Sequence, residues 1–148
     1  MAKLRYTPKP FESNCRSNDT YASIYMSMIL SEAWRDLTVE QQRLYLYCKE
    51  QYYGEKRPKE ADREVFTMNR AKWSAYGLYS TTNAKGFIRD MTALIEHGFI
   101  DCVSCGAANQ KKSLYRYSAR WQNYGTPLFT VPESVKTSAM KGTRKQGQ

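Results

Sequence analysis

The chain has 148 residues and four cysteines. A domain of that length buries enough surface to fold without disulfides, and four scattered cysteines are too few for a disulfide-stapled secreted fold. The first residues lack the apolar core of a secretory signal, and no apolar run approaches the roughly 20 residues that span a bilayer. We therefore expect one main domain with reduced thiols, located in the cytoplasm and outside any membrane.

The formal net charge is +9, and it is distributed unevenly along the chain. Residues 102–148 contain eight basic side chains and one acidic side chain, whereas residues 1–101 contain 15 basic and 13 acidic side chains. Such asymmetry favours a polyanionic partner. The alternative is that the basic end is a solvated extension without a partner.

Residues 1–20 are polar, include two prolines and show no periodicity, which predicts a flexible N-terminal segment. Patterning begins in the stretch YASIYMSMILSEAWRDL. Its apolar residues predict a short helix or extended segment with one side packed on the core. These residues are Ile24, Met28, Ile29 and Trp34.

The next stretch predicts a helix that begins at Thr38. Thr38 and Gln41 are spaced as in a capping box, in which each side chain satisfies the other residue's backbone amide. Gly54 is placed to end this helix in a left-handed conformation. The apolar positions recur at helical spacing, which predicts that Cys48 is buried. These positions are Leu44, Tyr45, Cys48 and Tyr52.

A polar loop, a short strand and a helix are predicted to follow. Residues 55–64 contain no large apolar side chain, and Val65 and Phe66 have the β-propensity of a small strand. Asn69 is placed to cap a helix through RAKWSAYG, which Gly77 would end.

A second helix is expected directly after a tight turn. Ser80 or Thr81 would cap it, and Gly98 would end it. An apolar stripe along this helix predicts the side that faces the core. The stripe is formed by Phe87, Met91, Leu94 and Ile95.

The stretches FIDCVS and SLYRYS both alternate, and the loop CGAANQKK separates them, which predicts a β-hairpin. From Pro127 onward the composition is that of a disordered tail. The predicted order of helix, short strand, helix, helix and hairpin is that of a winged helix-turn-helix, a mainly α fold with a small β-hairpin. The expected divisions are a flexible N-terminal segment (1–20), the winged helix-turn-helix domain (21–125) and a basic, disordered tail (126–148).

The stretch GLYSTTNAKGFIRDMTALIEHGFI resembles the winged helix-turn-helix superfamily, because small polar residues open a helix whose apolar stripe ends at a glycine followed by the wing. With LTVEQQRLYLYCKEQYYG before it, the region from about residue 24 to 121 looks most like the N-terminal domains of plasmid replication initiators and phage replisome organisers. The resemblance implies a double-stranded DNA-binding protein of a bacterial plasmid, phage or conjugative element. Its role would lie in replication initiation, DNA transfer or transcriptional control.

The resemblance also implies which residues contact DNA, since the exposed N-terminal half of the second helix would face the major groove. The candidates are Ser80, Thr81, Thr82, Asn83, Lys85 and Arg89. Asn83 could pair with adenine, and Arg89 with guanine or a phosphate. For Thr81 and Thr82, simple helix capping is an equally good interpretation.

Basic residues on or beside the wing would clamp the flanking phosphates. They are Lys111, Lys112, Arg116 and Arg120. Of Tyr115 and Tyr117, one is expected to face the core and the other to be available for a phosphate. Residues 134–148 carry four basic and no acidic side chains, which predicts a nonspecific arm on the DNA backbone.

A metal site is the competing interpretation of the same region. Cys102 and Cys105 have zinc-ligand spacing, and His97 lies close by in sequence. Structural zinc sites usually take four ligands, and no second pair of Cys or His follows at comparable spacing. We expect no metal and no cofactor.

Enzyme activity is not expected either, because one histidine and scattered acids cannot hold a catalytic metal and no Gly-rich phosphate loop is present. The alternative function is a winged-helix protein-interaction module of a replisome or transfer complex, which would use an exposed tyrosine cluster. The cluster would consist of Tyr45, Tyr47, Tyr52, Tyr53, Tyr76 and Tyr79. The expected partner is therefore double-stranded DNA, with replication or transfer proteins and a second copy of the chain as open alternatives.

Overall fold

The computed structural model of the protein describes residues 22–52, 64–104 and 113–132. Its elements in chain order are α1 (Met26–Ile29), α2 (Glu32–Arg35), α3 (Val39–Lys49), β1 (Val65–Phe66), α4 (Arg70–Ala75), α5 (Ala84–Glu96), β2 (Ile100–Ser104), β3 (Leu114–Tyr117) and a 3-10 turn (Arg120–Asn123). The fold is thus mixed α/β, combining helices with a small antiparallel sheet. The predicted N-terminal segment (1–20), Gly54, the hairpin loop (105–112) and the tail beyond residue 132 lie outside the described residues.

The described part of the chain begins with two one-turn helices, where the sequence left open a helix or an extended segment. Ser31 caps α2, since its Oγ accepts a hydrogen bond from Trp34 N at 3.2 Å. Met28 and Trp34 are buried, and Ile24 and Ile29 pack partly buried against the same core. The predicted one-sided packing is confirmed.

Helix α3 begins where the capping box predicts. Gln41 N donates to Thr38 Oγ1 at 3.3 Å, and Thr38 N donates to Gln41 Oε1 at 3.0 Å. Leu44, Tyr45 and Cys48 are buried, and α3 packs against α5. The burial predicted for Cys48 is therefore confirmed, and burial raises the pKa of its thiol well above the usual range.

Helix α4 is also capped as predicted, because Asn69 Oδ1 accepts a hydrogen bond from Lys72 N at 2.9 Å. Gly77 follows the helix with a φ of 68°, in the left-handed region that favours glycine. Lys72 extends back from α4 and donates through Nζ to Gln51 Oε1 and Thr67 Oγ1, both at 2.7 Å. These bonds tie α4 to the C-terminal end of α3 and to the segment after β1.

The sheet has the strand order β1-β3-β2, with both pairs antiparallel. The predicted hairpin is confirmed as β2 paired with β3, with a register irregularity between Cys102 and Ser104. The short strand β1 pairs with the other edge of β3 and places Phe66 opposite Tyr115. Since that pairing joins residues some 50 positions apart, the sequence pattern predicts the strand but not its partner.

Aromatic side chains connect the helices to the C-terminal turn through the core. The rings of Trp34, Tyr45 and Phe99 lie with centroids 5.4 to 5.7 Å apart, and Trp121 stacks on Phe99 at 6.1 Å. They join α2, α3, the junction between α5 and β2, and the C-terminal turn. Burying each large apolar side chain contributes roughly 1.5 to 3 kcal/mol, so this cluster accounts for a large part of the stability.

Gly98 ends α5, as predicted, with a φ of 87°. A Cβ atom at this position would lie 2.5 Å from Trp121 N and 2.8 Å from Arg120 C, both backbone atoms. The C-terminal turn therefore passes directly over the end of α5, and only glycine leaves room for it.

Residues 124–132, which follow this turn, pack against the domain. Tyr124 donates to Asp36 Oδ2 at 2.8 Å, Phe129 meets the Tyr124 ring edge-on at 5.3 Å, and Val131 packs against the core. Residues 126–132, which the sequence assigns to the tail, thus lie on the folded unit. This packing could not be predicted, because it depends on isolated side chains that leave no periodic pattern in the sequence.

Candidate nucleic-acid interface

Helix α5 has one buried and one exposed side. Met91, Leu94 and Ile95 are buried, so the predicted stripe faces the core, with Phe87 partly buried beside them. The opposite side exposes Lys85, Ile88 and Arg89, and Thr92 is half-exposed on the same face. We call these four residues the α5 face. It carries two cations around an isoleucine that is 61% exposed, and the exposed acid Glu96 follows one turn after Thr92 on the same side of the helix.

The start of α5 differs from the prediction. The helix begins at Ala84, and its cap is Asn83, whose Oδ1 accepts a hydrogen bond from Gly86 N at 3.1 Å. Ser80 and Thr81 precede the helix without capping it, and Ser80 Oγ lies 3.2 Å from Thr82 Oγ1. The capping interpretation of Thr81 and Thr82 is therefore wrong.

Gly86 explains why Asn83 is the cap. A Cβ atom at position 86 would lie 2.7 Å from Asn83 Nδ2 and 2.9 Å from Asn83 Oδ1, so the missing side chain makes room for the capping amide. Asn83 is exposed, and its Oδ1 already accepts the capping bond, which typically contributes about 1 kcal/mol.

A buried carboxylate, Asp90, holds α5 in place, and it is not among the residues predicted from the sequence. Asp90 is 1% exposed and accepts hydrogen bonds from Tyr79 Oη at 2.6 Å and from Gln41 Nε2 at 3.3 Å. It also pairs with Arg89 Nε at 3.2 Å. Burial, and then the bond to Asp90, raise the pKa of Tyr79 well above its usual range. The available signal was an acid next to Met91 on the side of the helix that the apolar stripe assigns to the core.

The two described arginines on and after β3 have different environments. Arg116 is exposed on β3, as a phosphate-binding residue would need to be. Arg120 is directed inward: Nε donates to Asp101 Oδ1 at 3.0 Å, and Nη2 donates to the same carboxylate and to the carbonyl of Ile95. Its Nη1 donates to the carbonyl of Thr130 at 2.6 Å. Lys111 and Lys112 lie outside the described residues.

The prediction that one of Tyr115 and Tyr117 is available for contact is wrong. Residues two apart on a strand point to the same side, and Phe66 stacks on both rings, at 5.6 and 4.7 Å. Tyr117 Oη donates to the carbonyl of Cys48 at 2.6 Å. Both tyrosines therefore serve the packing of the sheet.

Of the three residues considered as zinc ligands, the structure describes His97 and Cys102. His97 Nδ1 lies 2.7 Å from the carbonyl of Ala93, and its ring stacks on Tyr124 at 5.2 Å. Cys102 is half-buried on β2, and Cys105 lies outside the described residues. Across residues 22–52, 64–104 and 113–132, no group of three or more histidine, cysteine or acidic residues could hold a metal.

The predicted tyrosine cluster is largely internal. Tyr45 is buried, Tyr47 and Tyr76 pack on each other at 4.8 Å, and Tyr79 is bonded to Asp90. Tyr52 is 44% exposed. Tyr53 lies outside the described residues.

Comparison with known proteins adds no assignment, because no family model, curated protein or solved structure matches the chain. Among the helices that the structure describes, none is both long and apolar enough to cross a membrane.

Proposed function

We propose that the protein binds double-stranded DNA as a winged helix-turn-helix, with the α5 face in the major groove and the β2–β3 hairpin beside it. The observation that carries the proposal is the α5 face. Two cations and an exposed isoleucine share the outer side of the first half of a 13-residue helix whose other side is packed in the core, and the one exposed acid of that side, Glu96, lies at the far end of the helix. A helix of this kind fits the major groove, where cations meet phosphates or guanine and apolar atoms meet thymine methyl groups.

The order of the elements supports this arrangement. Helices α4 and α5 are consecutive and joined by residues 76–83, and α5 leads through Gly98 into the hairpin. The strand before α4 completes the sheet by pairing with β3. In a winged helix-turn-helix the second of the two helices binds the groove and the hairpin flanks it, which is the part assigned here to α5 and to β2–β3.

The local electrostatics favour an anion at the same place. The N-terminus of α5 carries the positive end of the helix dipole, and Lys85 lies in its first turn. Arg89 follows one turn later, and Arg116 is exposed on the hairpin. Arg120 is left out of the proposed interface because its guanidinium is bonded within the domain.

The biological setting rests on the resemblance to plasmid replication initiators and phage replisome organisers alone. We propose a role in replication initiation, DNA transfer or transcriptional control of a bacterial mobile element. The enzyme-free, cofactor-free mode of action and the cytoplasmic location belong to the same proposal.

Titration of the full chain into a fluorescently labelled 30-base-pair duplex at increasing salt tests the function. If four to six basic residues displace counterions, the slope of log affinity against log salt should be about −4 to −5. The proposal fails if no duplex is bound at low salt, or if affinity does not depend on salt.

One observation favours a second candidate, a protein-interaction module. Tyr25, Met26 and Leu30 on and around α1 are 73%, 63% and 58% exposed, which is unusual for large apolar side chains so close together in the chain. A pull-down from which nucleic acid has been removed, and whose yield is unchanged at high salt, would support this candidate over DNA binding.

A further inference from the structure

Two neighbouring residues of α5 have opposite charges and very different environments. The Arg89 side chain is 71% exposed, whereas the Asp90 side chain is 1% exposed. They meet through Arg89 Nε and Asp90 Oδ1, 3.2 Å apart. The ion pair thus joins a buried anion to a cation on the α5 face.

Asp90 is held from two other parts of the fold and does not depend on Arg89 for its position. Tyr79, in the turn before α5, donates to Oδ2 at 2.6 Å, and Gln41 of α3 donates to Oδ1 at 3.3 Å. Gln41 is itself held by its capping-box bond to Thr38. The carboxylate is therefore an anchored acceptor next to the exposed arginine.

The pair leaves the outer end of the guanidinium available. Within the residues that the structure describes, Arg89 makes its hydrogen bond through Nε, the innermost nitrogen of the group. The terminal amino groups, which form a fork that binds two acceptors at once, make no hydrogen bond to any residue that the structure describes. An arginine held in this way loses less side-chain freedom on binding than a free one.

Both guanine and a phosphate present two acceptors that such a fork can bind. Ile88, the exposed residue next to Arg89, favours guanine. Ile88 is 61% exposed beside it, and an apolar side chain fits the floor of the major groove better than the ionic backbone. Arg89 therefore faces base edges when α5 lies in the groove.

We infer that Asp90 is a positioning residue that holds Arg89 for bidentate contact with O6 and N7 of one guanine, so that the DNA target contains a required guanine. The inference rests on the proposed DNA binding. It goes further by naming the base that the site recognises and the buried residue that makes the recognition specific.

The test uses the full chain and a duplex selected from a random pool. Each guanine of the selected duplex is replaced in turn by 7-deazaguanine, which lacks only the N7 acceptor. Binding is measured by fluorescence anisotropy for the wild type, Arg89→Lys, Asp90→Asn and a control, Arg35→Lys, which makes the same change at an exposed arginine of α2.

For the wild type and the control, one 7-deazaguanine should weaken binding about five-fold, since it removes half of a bidentate pair. For Arg89→Lys and Asp90→Asn, the normal and modified duplexes should bind within two-fold of each other. Should Asp90→Asn fail to fold, Tyr79→Phe takes its place, because it loosens the carboxylate without removing its charge.

Three results are distinguishable. A wild type that binds no duplex removes the proposed function itself. A wild type that binds DNA but tolerates every 7-deazaguanine overturns the guanine contact. An Asp90 variant, or Tyr79→Phe in its place, that keeps the full five-fold penalty overturns the positioning role and leaves Arg89 acting alone.

Discussion

Replacing Arg120 by alanine should destabilise the domain by about 3 kcal/mol, although a basic residue just after the wing looks like a DNA contact in the sequence. The side chain is 19% exposed and bonds to Asp101 and to the carbonyls of Ile95, Ile100 and Thr130. Each charge-assisted hydrogen bond contributes about 1.5 to 3 kcal/mol when fully buried. Asp101 is 33% exposed, so water would replace part of the lost interaction with Arg120. The expected loss of about 3 kcal/mol is therefore smaller than the combined contribution of the separate hydrogen bonds.

Urea unfolding followed by tryptophan fluorescence measures this loss, with Arg116→Ala as the matched control. Arg116 is the same residue type four positions away and is exposed, so its removal should change stability by less than about 0.5 kcal/mol. The two variants should behave in opposite ways towards DNA once both are folded. Arg116→Ala should flatten the salt dependence by up to about 0.9, and Arg120→Ala should leave it unchanged.

The reasoning is refuted if Arg120→Ala unfolds at the same urea concentration as the wild type. It is also refuted if Arg120→Ala remains stable but loses DNA affinity in a salt-dependent way. Either result would place the guanidinium outside the domain, where the sequence analysis put it.

Three further outcomes follow from the structure. Gly98→Ala should lower the free energy of unfolding, measured with a chemical denaturant, by at least about 3 kcal/mol, because its Cβ would lie 2.5 Å from Trp121 N. Gly77→Ala should lower it by only about 1 kcal/mol, because the space around Gly77 is open and only its positive φ is unfavourable. Equal losses in the two variants would contradict this expectation. Ile88 is exposed, so Ile88→Ala should change the free energy of unfolding by no more than about 0.5 kcal/mol. If Ile88 contacts a thymine methyl group, the variant should lose the preference for thymine over uracil at one position of the selected duplex. A preference that persists in the variant would exclude this contact. Burial, with a smaller contribution from a nearby thiol, raises the pKa of Tyr45 to about 12. The stability that this tyrosine contributes is present below its unfolded pKa and is lost, by roughly 2 to 3 kcal/mol, as pH rises through its folded pKa. Because the pKa values of Cys48, Tyr79 and Tyr124 are raised as well, Tyr45→Phe should still lose stability over this range, but by roughly 2 to 3 kcal/mol less than the wild type.

Local signals predicted where α3 and α4 begin and where α4 and α5 end, whereas α3 ends at Lys49, before the end predicted at Gly54. The capping box of Thr38 and Gln41 and the cap at Asn69 depend on atoms three residues apart, and the structure contains all of them. Gly77 and Gly98 end their helices because each adopts a positive φ that other residues avoid. Such features can be predicted because the interacting groups are adjacent in the sequence.

The start of α5 shows where local reasoning fails. Ser80, Thr81 and Asn83 are all residue types that cap helices, so the sequence offers several starts of similar merit. The choice depends on the space above Gly86, which accommodates the Asn83 amide. Propensity alone does not contain that information.

The candidate site was predictable as a helix face but not in its details. The exposed cations Lys85 and Arg89 follow from the apolar stripe on the other side of α5. The anchoring of Asp90 depends on Gln41, 49 residues away in the chain, and the inward direction of Arg120 depends on Asp101, 19 residues away. Contacts of that separation are set by the packing of whole elements.

The central claim is that the α5 face, and not basic charge in general, binds DNA. It is tested most directly by comparing Arg89→Glu with Arg35→Glu in salt-dependent anisotropy titrations against one duplex. Both change the net charge equally at an exposed position, on α5 and on α2 respectively. Arg89→Glu should reduce affinity by at least about 100-fold, through the lost contact and repulsion from the groove, and Arg35→Glu by no more than about five-fold. Equal losses would show that DNA binding follows overall charge and would contradict the assignment of α5 to the groove.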